Sequence, residues 1–155
     1  MVTILHYDRG DSTGRRGSAN VTAIKAALGG LELEIENCSQ SRVAENNLSA
    51  PSFAYDAVII NDAADKSADM ILYAQIALEQ AGLPNDRLVV LHQGKRPDAE
   101  LVAAGVRCNS ATGGNGYLLP QEARDVAAYL RQTVGGSPVV RAESSASYAS
   151  TATGK

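Results

Sequence analysis

Ala57-Val58-Ile59-Ile60 is an unbroken apolar run, and Leu88-Val89-Val90-Leu91 is another, with a helix-length segment between them. A strand that alternates apolar and polar residues shows one face to water, whereas a strand without alternation is covered on both faces. Two such runs joined through a helix constrain the chain to a parallel sheet, because parallel neighbours need a crossover connection. The joining segment fits that role. Ile71, Ala74, Leu78 and Ala81 recur on one helical stripe, with Leu72 and Ile76 expected to widen it, before Gly82 and Pro84 end the helix.

The remaining elements follow the same alternation. Val2 to Tyr7 is a β-rich run, followed by a glycine-containing loop from Asp8 to Ser18. Val21, Ile24, Ala27 and Leu28 then recur at helical spacing, and Gly29-Gly30 stops that helix. Leu31, Leu33 and Ile35 alternate with Glu32, Glu34 and Glu36, which predicts a strand at a sheet edge. Asn37 to Pro51 reads as irregular. Pro97 to Ala104 reads as a short helix with proline at its first position. The fifth strand is expected at Gly116 to Leu119, in preference to Val106 to Cys108, because it is the longer apolar element. Gln121 to Val134 closes the domain as a helix with Ala123, Val126, Ala127, Leu130 and Val134 inward. Strand and helix alternation of this length resembles the flavodoxin-like superfamily. The resemblance implies an α/β three-layer sandwich with a mostly parallel five-stranded sheet in the order 2-1-3-4-5.

Composition narrows the function. The chain has 155 residues, the prior for one domain, and a formal net charge of -3. A negative balance excludes nucleic-acid binding through bulk basic charge. No apolar run approaches the roughly 18 residues of a membrane helix, and the first residues carry no secretory signal pattern, so a cytoplasmic location is expected. Cys38 and Cys108 form no CxxC and no metal spacing, and are expected to be ordinary thiols.

In doubly wound sheets, ligands bind beyond the carboxyl ends of the strands. Four loops are expected there: 8–18, 61–66, 92–96 and 110–115. In the first, Ser12, Thr13 and Gly14 are similar to the phosphate loop of flavodoxins, with Arg15 and Arg16 following. That resemblance implies an anion or phosphate held by backbone N–H groups at the next helix start, with FMN as the cofactor. Arg16 stands where a second hydroxyl residue is expected, and the chain has no Trp to wall a flavin ring. His92 ends a strand at this edge and is the general-base candidate, while His6 reads as a core histidine.

The same order of elements resembles bacterial response-regulator receiver domains. Asp8 after the first strand and Asp62 after the third stand at the positions which that resemblance implies for Mg²⁺ and phosphate. The family's lysine before the final proline is Leu119 here, ahead of Pro120, and the hydroxyl residue after the fourth strand is replaced by His92 or Gln93. The receiver is therefore expected to be degenerate. Asp62, Asp65 and Asp69 are also similar to the acids of Toprim domains, but their spacing fits the acidic start of a helix better.

After Val134 the composition shifts to Ser, Ala, Gly and Thr. A segment with so little apolar mass does not bury enough surface to offset its ordering entropy alone. Residues 135–155 are expected to form an extended tail outside a domain of residues 1–134. Pro138, Val139 and Val140 are its one β-prone stretch, suited to pairing with a neighbouring subunit. Because each catalytic signature is incomplete, the expected function is a non-catalytic structural or interaction subunit of a larger homo- or hetero-oligomeric assembly, such as a virion or another large particle, without cofactor. The alternatives are a phosphate- or FMN-binding flavodoxin-like protein and a degenerate receiver-like signalling module.

Overall fold

The computed structural model describes residues 1–9, 13–30, 32–49, 52–62, 67–93 and 98–134. The expected tail contacts at Pro138, Val139 and Val140, and Ser12 of the first loop, lie outside the described residues. Five strands and five helices alternate: β1 (Val2–Asp8), α1 (Arg15–Leu28), β2 (Leu33–Cys38), α2 (Ser41–Asn47), β3 (Ala57–Asn61), α3 (Ala68–Gln80), β4 (Leu88–His92), α4 (Ala99–Ala103), β5 (Arg107–Ser110) and α5 (Pro120–Thr133). The sheet order is β2-β1-β3-β4-β5, and every pairing is parallel. This is the flavodoxin-like three-layer arrangement.

Alternate residues of the central strands feed two separate cores. Leu5, Tyr7, Val58, Ile60, Leu88 and Val90 pack towards α2 and α3. Ile4, Ile59, Val89 and Leu91 pack with Ile24 and Leu28 of α1 and with Val126 and Leu130 of α5. β3 is buried along its whole length, which is why its sequence shows no polar alternation.

Three expectations are corrected. The fifth strand is Arg107–Ser110 and not Gly116–Leu119. Asn115 and Gly116 adopt φ of 51° and 92°, and Gly113 N–H closes a turn onto the Tyr117 carbonyl at 2.7 Å. That left-handed backbone cannot join a parallel ladder. β5 escapes an apolar reading because it is an edge strand with mixed burial. The Arg107 guanidinium instead covers the Tyr129 ring of α5, 4.7 Å from its centroid.

The segment expected to be irregular contains α2, a seven-residue helix with Ala44 as its one buried residue. One apolar contact leaves almost no periodic signal. Finally, Leu72 and Ile76 do not widen the buried stripe of α3. They are 54% and 44% exposed, whereas Ile71, Ala74 and Leu78 are buried. Elsewhere the boundaries shift by small steps. α4 starts at Ala99, with the Asp98 carboxylate accepting from the backbone of Glu100 and Leu101.

Candidate functional site

The carboxyl ends of β1 and β3 lie side by side, Asp8 paired in register with Asn61. This is where the chain reverses its winding direction, the usual place for a ligand in such sheets. Asp8 is the last residue of β1, and its side chain is 1% exposed. Arg16, the second residue of α1, turns inward and meets it. Arg16 Nε donates to Asp8 Oδ2 at 2.7 Å and Nη2 to Oδ1 at 2.5 Å, so both carboxylate oxygens are engaged by one fork. The remaining Nη1 donates to the Asn115 carbonyl.

Two asparagines extend this arrangement. Asn20 of α1 and Asn61 of β3 both donate to the Gly116 carbonyl, at 3.1 and 3.0 Å. Asn20 Oδ1 also accepts from the Leu118 N–H at 2.9 Å. Arg16, Asn20 and Asn61 therefore strap the loop after β5 across the strand ends. The left-handed backbone of Asn115 and Gly116 aims their carbonyls at these donors.

Beside this cluster, His6 is wholly buried on the same side of β1. Its Nδ1 bonds Asn37 Oδ1 of β2 at 3.0 Å, while Nε2 has no partner. Burial drives the imidazole pKa below its ordinary value of 6.5, outweighing the Asn37 bond and the nearby Asp8 charge. The ring is thus held neutral. Asn37 Nδ2 reaches over to the Gly14 carbonyl at 3.4 Å, joining β2 to the start of α1.

The other sequence candidates disperse. Thr13 is exposed, and its Oγ1 accepts from Arg15 N–H at 3.2 Å, while Arg15 itself faces solvent. Gly14 takes a left-handed φ of 75° where the chain enters α1. Arg16, grouped by sequence with the anion-binding loop, is instead buried against Asp8. Asp62 accepts from the Ser67 N–H at 3.0 Å and so orders the entry to α3. His92 continues the Leu88–Val90 alternation towards the α3 layer, away from His6 and Asp8, and its Nδ1 is buried without a partner. Among the described residues no group of three or more His, Cys, Asp or Glu is placed to hold a metal ion. Cys38 and Cys108 are both free thiols, and burial raises the Cys108 pKa.

Sequence reasoning missed Asn20, Asn37 and Asn61 altogether. The signal present was a polar amide on an otherwise apolar face, as with Asn20 beside Val21 and Ile24, or at the end of a fully buried strand, as with Asn61.

No family model matches the chain, and no curated protein matches it. Among solved structures, the chain is similar to a Burkholderia thailandensis protein described as a pilus assembly protein (CpaE). The TM-score is 0.53 at 15% identity, covering 85% of this chain and 99% of the other. A 3-dehydroquinate dehydratase-like protein from Bifidobacterium longum aligns at a TM-score of 0.42 and 18% identity, over 84% of this chain and 98% of its own. The first likeness is one of fold. No helix among the described residues is long and apolar enough to cross a membrane.

Proposed function

We propose that this chain is a non-catalytic, receiver-like module that makes protein–protein contacts within a larger assembly. The observation that carries the reading is the buried Asp8–Arg16 pair. In a working receiver the strand-end acid offers its oxygens to a divalent cation, which requires them at roughly 2.0–2.6 Å from the metal. Here one guanidinium engages both oxygens from within the fold. A cation entering there would have to displace the Arg16 guanidinium from both carboxylate oxygens. The position that lysine would occupy is Leu119, 46% exposed, whose N–H donates to the Glu122 carboxylate as part of the α5 start.

The fold likeness to a pilus assembly protein supports a role in assembly by analogy. Within this reading the tail residues Pro138, Val139 and Val140 supply further contacts to neighbouring subunits, and neither a flavin nor Mg²⁺ is a resident cofactor. The test is treatment of the full chain with a small acyl-phosphate donor and Mg²⁺, followed by intact-mass measurement. The expected result is no added phosphate. One phosphate that disappears in Asp62→Asn would overturn the reading.

A further inference from the structure

α3 is apolar on two sides, and among the described residues only one side is covered. Met70, Ile71, Ala74, Ala77 and Leu78 fill the core, while Leu72, Tyr73 and Ile76 stand on the solvent face at 54%, 40% and 44% exposure. Their spacing of three and four residues makes them one contiguous ridge. A surface helix usually turns charge outward, and a helix apolar on both sides is usually covered on both. The two charged residues of α3, Asp69 and Glu79, are both acids.

The ridge separates two shallow grooves. One, of about 370 Å³, is lined by Tyr73, Ile76 and Gln80 with Glu45, Leu48 and Ser49. The other, of about 390 Å³, is lined by Leu72, Gln75, Ile76 and Glu79 with Leu83 and Asn85. Ile76 belongs to both. Each groove therefore carries one carboxylate beside an apolar wall, Glu45 in the first and Glu79 in the second. No basic side chain is among the described residues that line them.

We propose that this face receives an amphipathic helix of a partner protein, with aliphatic side chains in the grooves beside Ile76 and lysines or arginines flanking them to meet Glu45 and Glu79. The proposal rests on reading the chain as an interaction module and names the face used. The shape suits a helix because a ridge between two grooves is what one helix presents to another in ridges-into-grooves packing. The charge selects among occupants. A second copy would bring its own Glu45 and Glu79 to the same contact, with no base among the described groove-lining residues to offset them, and like charges across an interface disfavour pairing. An anionic lipid surface would be repelled for the same reason.

The experiment uses the full ¹⁵N-labelled chain and a synthetic helix of roughly five turns. Its apolar face carries leucines at i, i+3, i+4 and i+7, and lysines flank that face. A control peptide replaces the lysines with glutamates. The expected result is shift changes centred on Leu72, Tyr73, Ile76 and Glu79, with the lysine peptide binding at least about tenfold more tightly than the control. Ile76→Asp should abolish binding without changing the thermal melt. The Glu45→Lys/Glu79→Lys double variant should reverse the peptide preference. Absent or dispersed shifts, or equal affinity for both peptides, would overturn the proposal. So would a dimer in sedimentation that Ile76→Asp dissolves, since that assigns the face to a second copy. Failure here with Asp62 still refusing phosphate removes this face and leaves the module reading standing. Phosphate on Asp62 removes the module reading itself.

Discussion

Gly17 passes so closely over Asn37 that a Cβ at position 17 would overlap the Asn37 amide oxygen, the same atom that bonds His6 Nδ1. In an open helix, Gly→Ala gains up to about 1 kcal/mol of helix propensity. At this site the added methyl must displace Asn37, and overpacking of that kind costs about 1–3 kcal/mol. Gly17→Ala is therefore expected to lower stability in urea melts. In an Asn37→Ala background the same change should raise it, because the obstruction is gone. An unchanged sign in that background would show that the close approach is not what matters.

The buried His6 ring sets a pH dependence. Its pKa in the folded chain lies below its ordinary 6.5, so below that pH the unfolded chain binds more protons than the folded one. The contribution is complete above about pH 6.5 and is lost progressively as the pH falls towards the folded-state value. Imidazole ¹⁵N shifts should show the neutral His6 ring protonated on Nδ1 and a titration midpoint below the ordinary 6.5. The fall in stability between pH 7 and pH 5 should be shallower in His6→Leu. A midpoint at or above 6.5 would contradict the burial argument.

Breaking the Asp8–Arg16 pair from one side should be costly. Arg16→Ala removes the fork that engages both oxygens of a carboxylate 1% exposed, and breaking a buried ion pair from one side costs about 3–5 kcal/mol. Replacing both partners with apolar residues, Asp8→Leu with Arg16→Met, should restore most of the loss, since a well-packed apolar pair often matches a buried ion pair. Denaturant midpoints of the three chains check this ordering.

Glu122 holds the entrance to α5. Its carboxylate accepts from the N–H and Oγ1 of Thr112 and from the Leu119 N–H, at 2.5–3.1 Å. Burial raises its pKa, but these hydrogen bonds prevail and bring it below the ordinary carboxylate range. Its contribution is therefore present above about pH 4.3 and fades as the pH falls through the folded-state value. Glu122→Ala should cost about 0.5–2 kcal/mol, the usual range for losing a helix cap. Paired urea melts at pH 7 and pH 3.5 should show the difference shrinking at the lower pH.

Purified protein should be colourless, and added FMN should retain its full fluorescence on titration. Arg16 is engaged with Asp8 rather than facing an incoming phosphate, and the chain contains no Trp. Stoichiometric quenching at micromolar flavin would reverse this expectation.

How far the fold was legible depended on burial. β3 and β4 announce themselves because both faces are covered, so each is apolar up to the polar residue at its carboxyl end, Asn61 or His92. β5 is nearly silent because Arg107 and Ser110 face water and only Asn109 is buried. Leu72 and Ile76 misled for the opposite reason: hydrophobicity in a sequence does not say which partner covers it, and on α3 none of the chain's described elements does. The site was legible only in part. Asp8 and Arg16 were each notable by position, but their pairing spans a turn between strand and helix, and no local periodicity links residues eight apart across such a bend.

The end of α5 has a mechanical meaning. Arg131 donates to the last carbonyls of α1, Ala27 and Leu28, at 3.0 and 3.3 Å, close to where β1 and β2 begin at Val2 and Leu33. The start of β1 and the end of α5 thus lie at one pole of the described fold, opposite the loops that Arg16, Asn20 and Asn61 bind together. A pull on the described end of α5 would therefore bear first on the Arg131 bonds to α1, whereas β1 is paired along both of its edges, with β2 and with β3.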